Sequence, residues 1–504
     1  MSKTTQLGSN ASRLSTRRLS SRTLSRQASI SSDRPPAASF AVSDPIDPSS
    51  NSPTMPKRPP LSILPLSSIL RSLATMSISS SPLLLRPSLH IIHKLAHSTS
   101  PIFSPDSNPL LRILLKRTFY AQFCAGETSS EVEATVSRLR SLGFSGVILA
   151  YAKEIVLDKT QASSPIQSKD ATPGLEARIE NEIIPWANGT LETVRMTRSG
   201  DFVALKLTGA GTQALHDLSQ QASPSPALKK AIDAVCDLAA SRGVKLLFDA
   251  EQAALQPGID AWTLGYMRRY NQQAHGNGQA VIYGTYQAYL KSAPAVLAAH
   301  LAAARRGRFA LGVKLVRGAY LGSDPRHLIC DTKADTDAAY DGIAEALVRR
   351  SYNQILPPAE GEQEVFPDVA LVLAGHNIAS VRKVQLLCSQ QRQRGEKGID
   401  VVYAQLQGMA DEVSCELVLA GREARAASVS QSGSGSDSAA SSGDVEAEAK
   451  DVPRAYKYLV WGSTGECMKY LYRRAQENKD AVERTREGRD AMARELWRRI
   501  RGDV

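Results

Sequence analysis

Eight short apolar runs recur along the chain, and sequence compatible with a helix separates each run from the next. Each run holds roughly four to eight apolar residues and is rich in Val, Leu and Ile, which is typical of strands buried in a parallel sheet. The runs cover residues 146–152, 201–209, 244–252, 280–287, 309–320, 369–377, 399–408 and 455–462. Because eight such strands close a (β/α)8 barrel, the pattern predicts an α/β fold of the TIM-barrel type. A doubly wound open sheet is the competing architecture, but no GxGxxG sequence follows the first run.

Polar residues or glycine stand at the carboxyl ends of seven of the eight runs. Barrel enzymes build their sites from side chains at this end of several strands. At any single position, a polar residue is equally consistent with the start of a solvated loop. The joint pattern favours a functional site, and its members are Lys206, Thr208, Asp249, Glu251, Thr285, Gln287, Arg317, Gly318, His376, Asn377, Gln405, Gln407 and Tyr458.

Two of these residues, Lys206 and Asp249, are charges that end otherwise apolar runs, and a charge in such a place usually needs a partner. They pair with each other and stabilise the barrel, or they meet ligand atoms at its mouth; the sequence leaves both interpretations open. No second His or carboxylate stands at metal-ligand spacing from His376, so no metal site is predicted. The absence of a GxSxG sequence argues against an acyl-transfer hydrolase.

A predicted helix near the C-terminus carries a second candidate site. Counted from Tyr470, the residues Arg473, Arg474 and Glu477 fall at i+3, i+4 and i+7, which places all four side chains on one helical face. Two neighbouring guanidinium groups hold a small carboxylate in bidentate geometry, and Glu477 is spaced to orient one of them. The alternative is a solvated basic face on a terminal helix.

The fifth run contains a possible contact for a flat ligand. Gly318 and Ala319 are small enough to let such a ligand approach the backbone closely. A cation such as Lys314, placed near an isoalloxazine ring, stabilises the anionic reduced flavin. The motif by itself only suggests a flavin.

The charge of the chain is concentrated at one end. Of its 504 residues, 61 are Lys or Arg and 50 are Asp or Glu, a net charge of +11, and residues 1–117 alone carry fifteen Lys and Arg against four acidic residues. The rest of the chain is neutral overall, which argues against a nucleic-acid-binding surface. A basic, Ser-rich, acid-poor N-terminus predicts a mitochondrial transit sequence, and a disordered basic tail is the alternative.

We therefore predict a transit or disordered leader over residues 1–108 and a barrel domain over residues 109–504. The Ser/Gly/Ala/Asp tract at residues 427–451 reads as a low-complexity loop inserted before the eighth strand. No uninterrupted apolar stretch reaches the eighteen or so residues that span a bilayer, so any membrane contact is expected to be peripheral. The six cysteines form no CxxC pair and suit a reducing compartment.

Several ordered motifs make the chain similar to a known family. They are GVILAYAKE, LLFDAEQ, YGTYQAYLK, VKLVRGAYLGSDPR, DTKADTDAAYD, GHN, QLQGMAD, YKYL and YLYRRAQEN. On these motifs the chain resembles the proline dehydrogenases (proline oxidases), and in particular their eukaryotic mitochondrial branch. The resemblance runs from about residue 115 to residue 478, nearly all of the part expected to fold.

The resemblance implies a distorted (β/α)8 barrel that binds FAD without a Rossmann fingerprint. It implies oxidation of L-proline to Δ1-pyrroline-5-carboxylate, the first step of proline catabolism to glutamate, with hydride transfer from proline C5 to flavin N5. The electrons would pass to a quinone (ubiquinone), and the protein would sit peripherally on the matrix side of the inner mitochondrial membrane.

The resemblance also implies roles for individual residues. Arg473 and Arg474 would clamp the proline carboxylate, with Glu477 orienting them. The remaining substrate-pocket positions are Tyr458, Tyr470, Lys206, Asp249 and Leu406. The positions that match flavin contacts are Gln287, Lys314, Val316, Gly318, Ala319, Lys333, His376, Asn377 and Gln405. No residue is assigned as a general acid or base.

The chain departs from the family pattern at several positions beside the pocket, namely Gly375, Ala410, Val460, Trp461 and Lys469. We expect catalysis to survive them, with altered affinity or quinone preference as a hypothesis. Hydroxyproline dehydrogenase is the nearest alternative activity, and Tyr458 favours proline because a bulky phenol would crowd a 4-hydroxyl group. A non-catalytic barrel that binds flavin or proline is the alternative from another class.

Overall fold

The barrel is described here from a computed structural model of the chain. It describes residues 58–98, 100–155, 174–272, 280–361, 365–432, 452–477 and 482–502, and within these it leaves out the side chains of 428–432, 477 and 482–484. The nine strands, all parallel, are β1 Cys124–Gly126, β2 Gly146–Tyr151, β3 Phe202–Leu205, β4 Lys245–Phe248, β5 Ile282–Gln287, β6 Leu311–Val316, β7 Val369–Ala374, β8 Asp400–Leu406 and β9 Ala455–Trp461.

The helices that follow and flank these strands are numbered here in chain order. They are α1 Leu66–Ser79, α2 Pro82–Ala96, α3 Pro109–Leu115, α4 Ala121–Phe123, α5 Ser129–Ser141, α6 Leu175–Arg178, α7 Ile184–Met196, α8 Thr212–Ser219, α9 Pro226–Ser241, α10 Gln256–Tyr270, α11 Ala293–Gly307, α12 Lys333–Arg349, α13 Ile378–Gln393, α14 Asp411–Ser432, α15 Thr464–Glu477 and α16 Val482–Ile500.

Strands β2 to β9 form a closed barrel in sequence order, because β9 pairs with β8 on one side and with β2 on the other. Each of the eight predicted strands is present, so the predicted (β/α)8 barrel is confirmed and the open sheet is excluded. The added strand β1 pairs with Val460 and Trp461, beyond Tyr458, the last residue of β9 that pairs with β8. This extra strand therefore lies beside the end of β9 that β8 does not reach.

Alternation along each strand divides the core into two layers. In β7, Leu371 and Leu373 belong to the large cluster shared with the surrounding helices, whereas Ala370 and Val372 belong to the cluster inside the barrel. The inner layer contains many small residues, among them Ala150, Ala204, Ala370 and Ala404. Small inward side chains leave space for the polar groups that gather at the carboxyl ends of the strands.

The folded region begins earlier than the boundary predicted at residue 108. Helix α1 packs against α16, and α2 packs against α15. Asp106, within the predicted leader, accepts a 2.8 Å hydrogen bond from the backbone N–H of Gly465 at the start of α15. The Ser- and Pro-rich composition of this segment concealed two helices, each of which has a buried apolar residue, Ile69 in α1 and Ala96 in α2.

The other predicted boundaries lie mostly outside the described residues. Residues 1–57, which carry most of the predicted leader, are among those left out. The predicted insertion at 427–451 starts inside α14, which continues to Ser432, and residues 433–451 lie outside the description. Among the helices that the structure describes, none is both long and apolar enough to cross a membrane.

Candidate active site

A cavity of about 1030 Å³ lies over the carboxyl ends of β6 to β9. Residues that follow β6, β7 and β8 form its floor, and helices α1, α2, α15 and α16 form its walls and roof. Seven of the residues predicted to contact the substrate or the flavin line it: Lys333, His376, Asn377, Leu406, Tyr458, Tyr470 and Arg474. The barrel therefore brings together residues that are up to 141 positions apart in sequence (474 − 333).

A hydrogen-bonded group of three buried residues lies at the end of the barrel interior. Asp249, which directly follows β4, accepts a hydrogen bond from Lys314 Nζ at 2.5 Å on one carboxylate oxygen. Its other oxygen accepts a hydrogen bond from the Tyr458 hydroxyl at 2.8 Å. Lys314 Nζ also stands 5.0 Å from the centre of the Tyr458 ring. One carboxylate thus fixes both an ammonium group and a phenol.

Burial changes the titration of two of these groups. Desolvation lowers the pKa of Lys314, and the neighbouring Asp249 opposes that change. Desolvation, followed by the charge of Asp249, raises the pKa of Tyr458 well above its usual range. Tyr458 is therefore a neutral hydrogen-bond donor at physiological pH.

A second charged group is centred on Glu154, which was not predicted as a site residue. Its side chain is 3 % exposed and lies 2.9 Å from Lys206 Nζ and 2.7 Å from Arg473 Nη2. The Tyr320 hydroxyl donates a further hydrogen bond to Glu154 at 3.1 Å. Burial disfavours ionisation, but the charges of Lys206 and Arg473 outweigh it and hold the pKa of Glu154 well below its ordinary value. Glu154 is consequently an anion held by two cations.

Lys206 links the two groups. Its Nζ lies 3.9 Å from Asp249, farther than the 2.9 Å to Glu154. The sequence left open whether Lys206 and Asp249 pair with each other, and the structure gives each of them a closer partner. Although burial opposes it, the charges of Glu154 and Asp249 raise the pKa of Lys206, so this residue stays protonated.

The N-terminus of α15 is fixed by acceptors from distant parts of the chain. The Glu127 carboxylate, just after β1, accepts a hydrogen bond from Thr464 N at 3.1 Å, and the Asp106 carboxylate binds Gly465 N. The Ser463 hydroxyl accepts from Glu466 N at 3.2 Å. Carboxylates at this position satisfy the first N–H groups and complement the helix dipole. These contacts set the direction in which α15 crosses the barrel mouth.

On α15, the predicted cationic face is directed at the barrel. The guanidinium carbons of Arg473 and Arg474 lie 5.7 and 5.4 Å from the ring centre of Tyr470, which is buried. Arg474 and Tyr470 line the cavity, and Arg473 reaches down to Glu154. The side chain of Glu477 lies outside the described residues, so its predicted orienting role stays a prediction.

The residues after β7 and β8 shape another wall of the cavity. His376 Nε2 accepts a hydrogen bond from Leu406 N at 3.2 Å. Asn377 caps α13 by accepting from Ala379 N at 2.9 Å. Gln405 is buried and donates from its amide to Gly375 O at 3.3 Å, so it positions this wall from beneath.

Gln287 and the glycine that follows β6 lie below the cavity lining. The amide of Gln287 donates to Glu251 O at 3.2 Å and its oxygen accepts from Ala319 N at 3.0 Å, which ties two loops together. A side chain at Gly318 would meet the ring of Tyr289 at 2.5 Å, so glycine is required by this close approach. Val316 is the last residue of β6. Like Gln287, Gly318 and Ala319, it does not line the cavity.

Glu251 is a buried carboxyl group that the sequence placed only among the polar strand ends. Both its oxygens accept hydrogen bonds from Thr208, one from the hydroxyl and one from the backbone N–H at 3.1 Å. Burial, and secondarily the nearby charge of Glu154, raises the pKa of Glu251 to about 7. This carboxyl group is thus able to change its protonation near neutral pH.

Two cations form part of the cavity wall. Arg317, which the sequence placed among the polar strand ends without a substrate or flavin role, lies 2.7 Å from Asp337 and donates to Ser380 at 2.8 Å. Lys333, at the start of α12, lies 2.5 Å from the same Asp337 and is largely exposed. Together they carry one positive charge more than their shared carboxylate, which suits a bound anionic group.

The cationic and polar side chains that line the cavity are suited to binding a flavin nucleotide. Arg317 and Lys333 supply the cations that a diphosphate requires, and His376 and Asn377 add polar side chains to the cavity lining. The buried side-chain oxygen of Gln407, on the cavity lining, has no hydrogen-bond partner among the described residues. It is therefore available to accept a hydrogen bond from a ligand. No group of three or more His, Cys, Asp or Glu in the described chain could hold a metal ion.

Three departures from the family pattern have visible positions. Ala410 and Val460 line the cavity. Trp461 donates from its indole nitrogen to Thr193 at 2.9 Å, and its ring lies 5.2 Å from that of Tyr151. Trp461 therefore packs outside the barrel interior, against α7, and does not face the cavity.

A closed parallel barrel with a buried ionic network and a cationic helix over the carboxyl ends of its strands is the arrangement of a barrel enzyme. The model of the family described as "Proline dehydrogenase" matches residues 132–487. The chain belongs to this family and is an oxidoreductase.

Individual relatives agree with the family match. The chain is 28 % identical to "Probable proline dehydrogenase, mitochondrial" of Schizosaccharomyces pombe over 78 % of this chain and 81 % of that protein. It is 26 % identical to "Hydroxyproline dehydrogenase" of Mus musculus over 77 % of this chain and 83 % of that protein. Among solved structures, proline utilization A from Bdellovibrio bacteriovorus is similar in fold, with a TM-score of 0.54, 14 % identity, and coverage of 82 % of this chain and 38 % of that one.

Proposed function

We propose that this protein oxidises L-proline to Δ1-pyrroline-5-carboxylate in mitochondria, as the first step of proline catabolism to glutamate. FAD is the proposed cofactor and a quinone (ubiquinone) the proposed electron acceptor, with the protein lying peripherally on the matrix side of the inner membrane. The family match and the relatives named mitochondrial proline dehydrogenases support this assignment. The observation that carries it is the pair of arginines on α15 above the group formed by Asp249, Lys314 and Tyr458.

In this proposal the arginines bind the substrate carboxylate. Arg474 lines the cavity, and Arg473 lies beside it with its guanidinium group paired to Glu154. Tyr470 limits the space for the ring of the substrate, and Leu406, which also lines the cavity, supplies an apolar contact. Fixing the carboxylate at one end and the ring at the other orients the carbon that is oxidised.

The floor of the pocket positions the reacting end of the substrate. Bound FAD supplies the two-electron acceptor for the hydride that leaves C5 of proline. Arg317, Lys333, His376 and Asn377 would hold it along the cavity wall, and Lys314 supplies a positive charge below. Because Lys206 and Lys314 are both paired with carboxylates, the floor stays close to neutral and does not repel the arginines above.

Hydroxyproline is the second candidate substrate, since a relative with that activity in its name covers the same share of the chain. The hydroxyl of Tyr458 is held by Asp249, so its ring cannot turn aside without breaking a buried hydrogen bond. A phenol fixed in this way leaves less room for a 4-hydroxyl group and favours proline. The non-catalytic barrel is less well supported because the arginines, Asp249 and the cationic wall are all retained.

The test is an anaerobic titration of the full-length chain with L-proline while the flavin absorbance is recorded. We expect the protein to purify with FAD and the flavin to bleach with L-proline, and much less with trans-4-hydroxy-L-proline. Equal bleaching by both would favour hydroxyproline dehydrogenase activity. A flavin that neither compound bleaches would favour the non-catalytic barrel, and a chain that cannot be loaded with FAD would refute the cofactor assignment.

A further inference from the structure

The outer side of α3 and the loop before it expose several large apolar residues. The exposed fractions are 67 % for Ile102, 59 % for Phe103, 78 % for Leu110, 48 % for Ile113 and 60 % for Leu114. We name these five residues the α3 face. Single exposed apolar residues are common, but a cluster of this size usually marks an interaction surface.

The α3 face is held in one place by the fold. Asn108 donates from its side-chain amide to Ile102 O at 2.7 Å and accepts from Leu110 N at 3.0 Å, so the loop and the helix start are tied together. Within α3, Leu110, Ile113 and Leu114 are spaced at i, i+3 and i+4, which puts them on one stripe. The apolar side chains are therefore presented together.

The opposite side of α3 is already used. Leu111 and Leu115 pack with Ala96 of α2 and Met468 of α15 in one apolar cluster. Helix α3 thus has two apolar sides: one is buried in the protein and the other is exposed. Folding of the described chain does not account for the exposed side.

The charges around the α3 face are those that an anionic surface attracts. Arg112 and Arg117 are exposed on α3 and on the turn that continues it. Between residues 48 and 126, Asp106 is the only acidic residue in the sequence, and it binds Gly465 N at the start of α15. The nearby carboxylates Glu127 and Glu131 are both paired with Lys116, at 3.0 and 2.6 Å. Exposed Leu, Ile and Phe flanked by arginines is the pattern of a segment that lies in a membrane interface.

We infer that the α3 face is a membrane-docking surface and that its partner is a bilayer containing anionic phospholipids. Ile102, Phe103, Leu110, Ile113 and Leu114 enter the boundary between headgroups and acyl chains, and Arg112 and Arg117 contact the lipid phosphates. Helix α2, which also packs on α15, has an exposed apolar residue of its own, Leu83, at 86 %.

The inference deepens the proposed function and rests on it in one respect, the use of a lipid-soluble acceptor. Leu89, Ile92 and Leu95 of α2 line the cavity, and Ile92 and Leu95 also pack on the cluster that holds α3. Docking through α3 therefore places the apolar wall of the cavity next to the bilayer. A quinone would reach the site from the membrane through this wall.

The test is co-sedimentation of the full-length chain with vesicles of phosphatidylcholine alone and of phosphatidylcholine mixed with phosphatidylglycerol. We expect the chain to sediment with the mixed vesicles, and added salt to weaken this binding. The double variant L110D/L114D should bind on the order of 100-fold more weakly, since two leucines no longer enter the membrane. The matched control L175D/V365D changes two exposed apolar residues elsewhere and should bind like the unmodified chain.

Reduction of the flavin by L-proline in L110D/L114D separates this inference from the catalytic proposal. We expect reduction to be unchanged, because the substituted side chains are exposed and do not line the cavity. Equal vesicle binding by the variant and the unmodified chain would overturn the inference, as would no vesicle binding by the unmodified chain. Loss of self-association in the variant without any vesicle binding would also overturn it, and would assign the face to a second copy of the chain.

Discussion

Arg473 of α15 lies 2.7 Å from Glu154, a residue 319 positions earlier that follows the first barrel strand. The ion pair connects the helix that closes the site to the wall of the barrel beneath it. Glu154 also binds Lys206, so one buried carboxylate neutralises two cations. A buried pair of this kind contributes little as a whole, but removal of one partner leaves uncompensated charge.

Substitution of Glu154 should therefore destabilise the protein. In E154Q, Lys206 and Arg473 lose their common anion, and we expect a loss of roughly 3 kcal/mol in the free energy of unfolding. Thermal or urea unfolding of the FAD-free chain measures it. E133Q, an exposed change of the same kind on α5, is the control, and an equal effect of both variants would contradict the role given to Glu154.

The lowered pKa of Glu154 also predicts that the free energy of unfolding decreases at acid pH. Because the folded-state pKa lies below the unfolded value, its contribution is present above about pH 4.3 and is lost as the pH falls through the folded pKa. The melting temperature of the unmodified chain should fall more steeply below about pH 4.3 than that of E154Q. Parallel curves for the two proteins would argue against an ionised Glu154.

Glu251 should change the pH dependence of stability in the opposite direction. Its folded-state pKa of about 7 lies above the ordinary value of about 4.3, so its stabilisation is complete below about pH 4.3 and is lost as the pH rises towards 7. In E251Q the side chain is neutral at every pH. The melting temperature of E251Q relative to that of the unmodified chain should therefore rise between pH 5 and pH 8. The full change would be about 2 to 4 kcal/mol. A constant difference across this range would mean that Glu251 does not titrate there.

The sequence predicted the barrel well because its strands are apolar, buried and separated by helices. It missed β1 because three residues, Cys124–Gly126, give no periodicity, and it missed α1 and α2 because Ser and Pro dominate their surroundings. Lys206 and Asp249 were found because a charge stands out at the end of an apolar strand. Glu154 was not found, because nothing in its local sequence indicates that Arg473 lies beside it.

Tyr458 should control discrimination between proline and 4-hydroxyproline. Replacement by Ser removes the ring that Asp249 holds in place and opens space where a 4-hydroxyl group would lie. We expect kcat/KM for trans-4-hydroxy-L-proline relative to L-proline to rise about tenfold or more, the effect of relieving one steric conflict of 1–3 kcal/mol. Y458F, which keeps the ring and loses only the hydrogen bond, is the control and should leave the ratio nearly unchanged.

The cationic wall should govern flavin retention. R317M removes the better-anchored cation of the wall, whose guanidinium also lies 4.1 Å from the centre of the Tyr340 ring. Loss of a charge-assisted contact worth about 1.5–3 kcal/mol predicts a dissociation constant for FAD that is roughly 10- to 100-fold higher. Isothermal titration with FAD measures it, with R349M on the outer surface of α12 as the control. An unchanged dissociation constant would place the diphosphate elsewhere.

The central claim is that the arginines of α15 bind the carboxylate of L-proline over the floor formed by Asp249, Lys314 and Tyr458. The most direct test is anaerobic reduction of the flavin at graded L-proline concentrations in the unmodified chain, in R473M and in the surface control R349M. The account predicts normal flavin content in all three proteins. It also predicts a half-reduction concentration raised about 10- to 100-fold in R473M alone. An unchanged half-reduction concentration in R473M, with flavin bound normally, would contradict it.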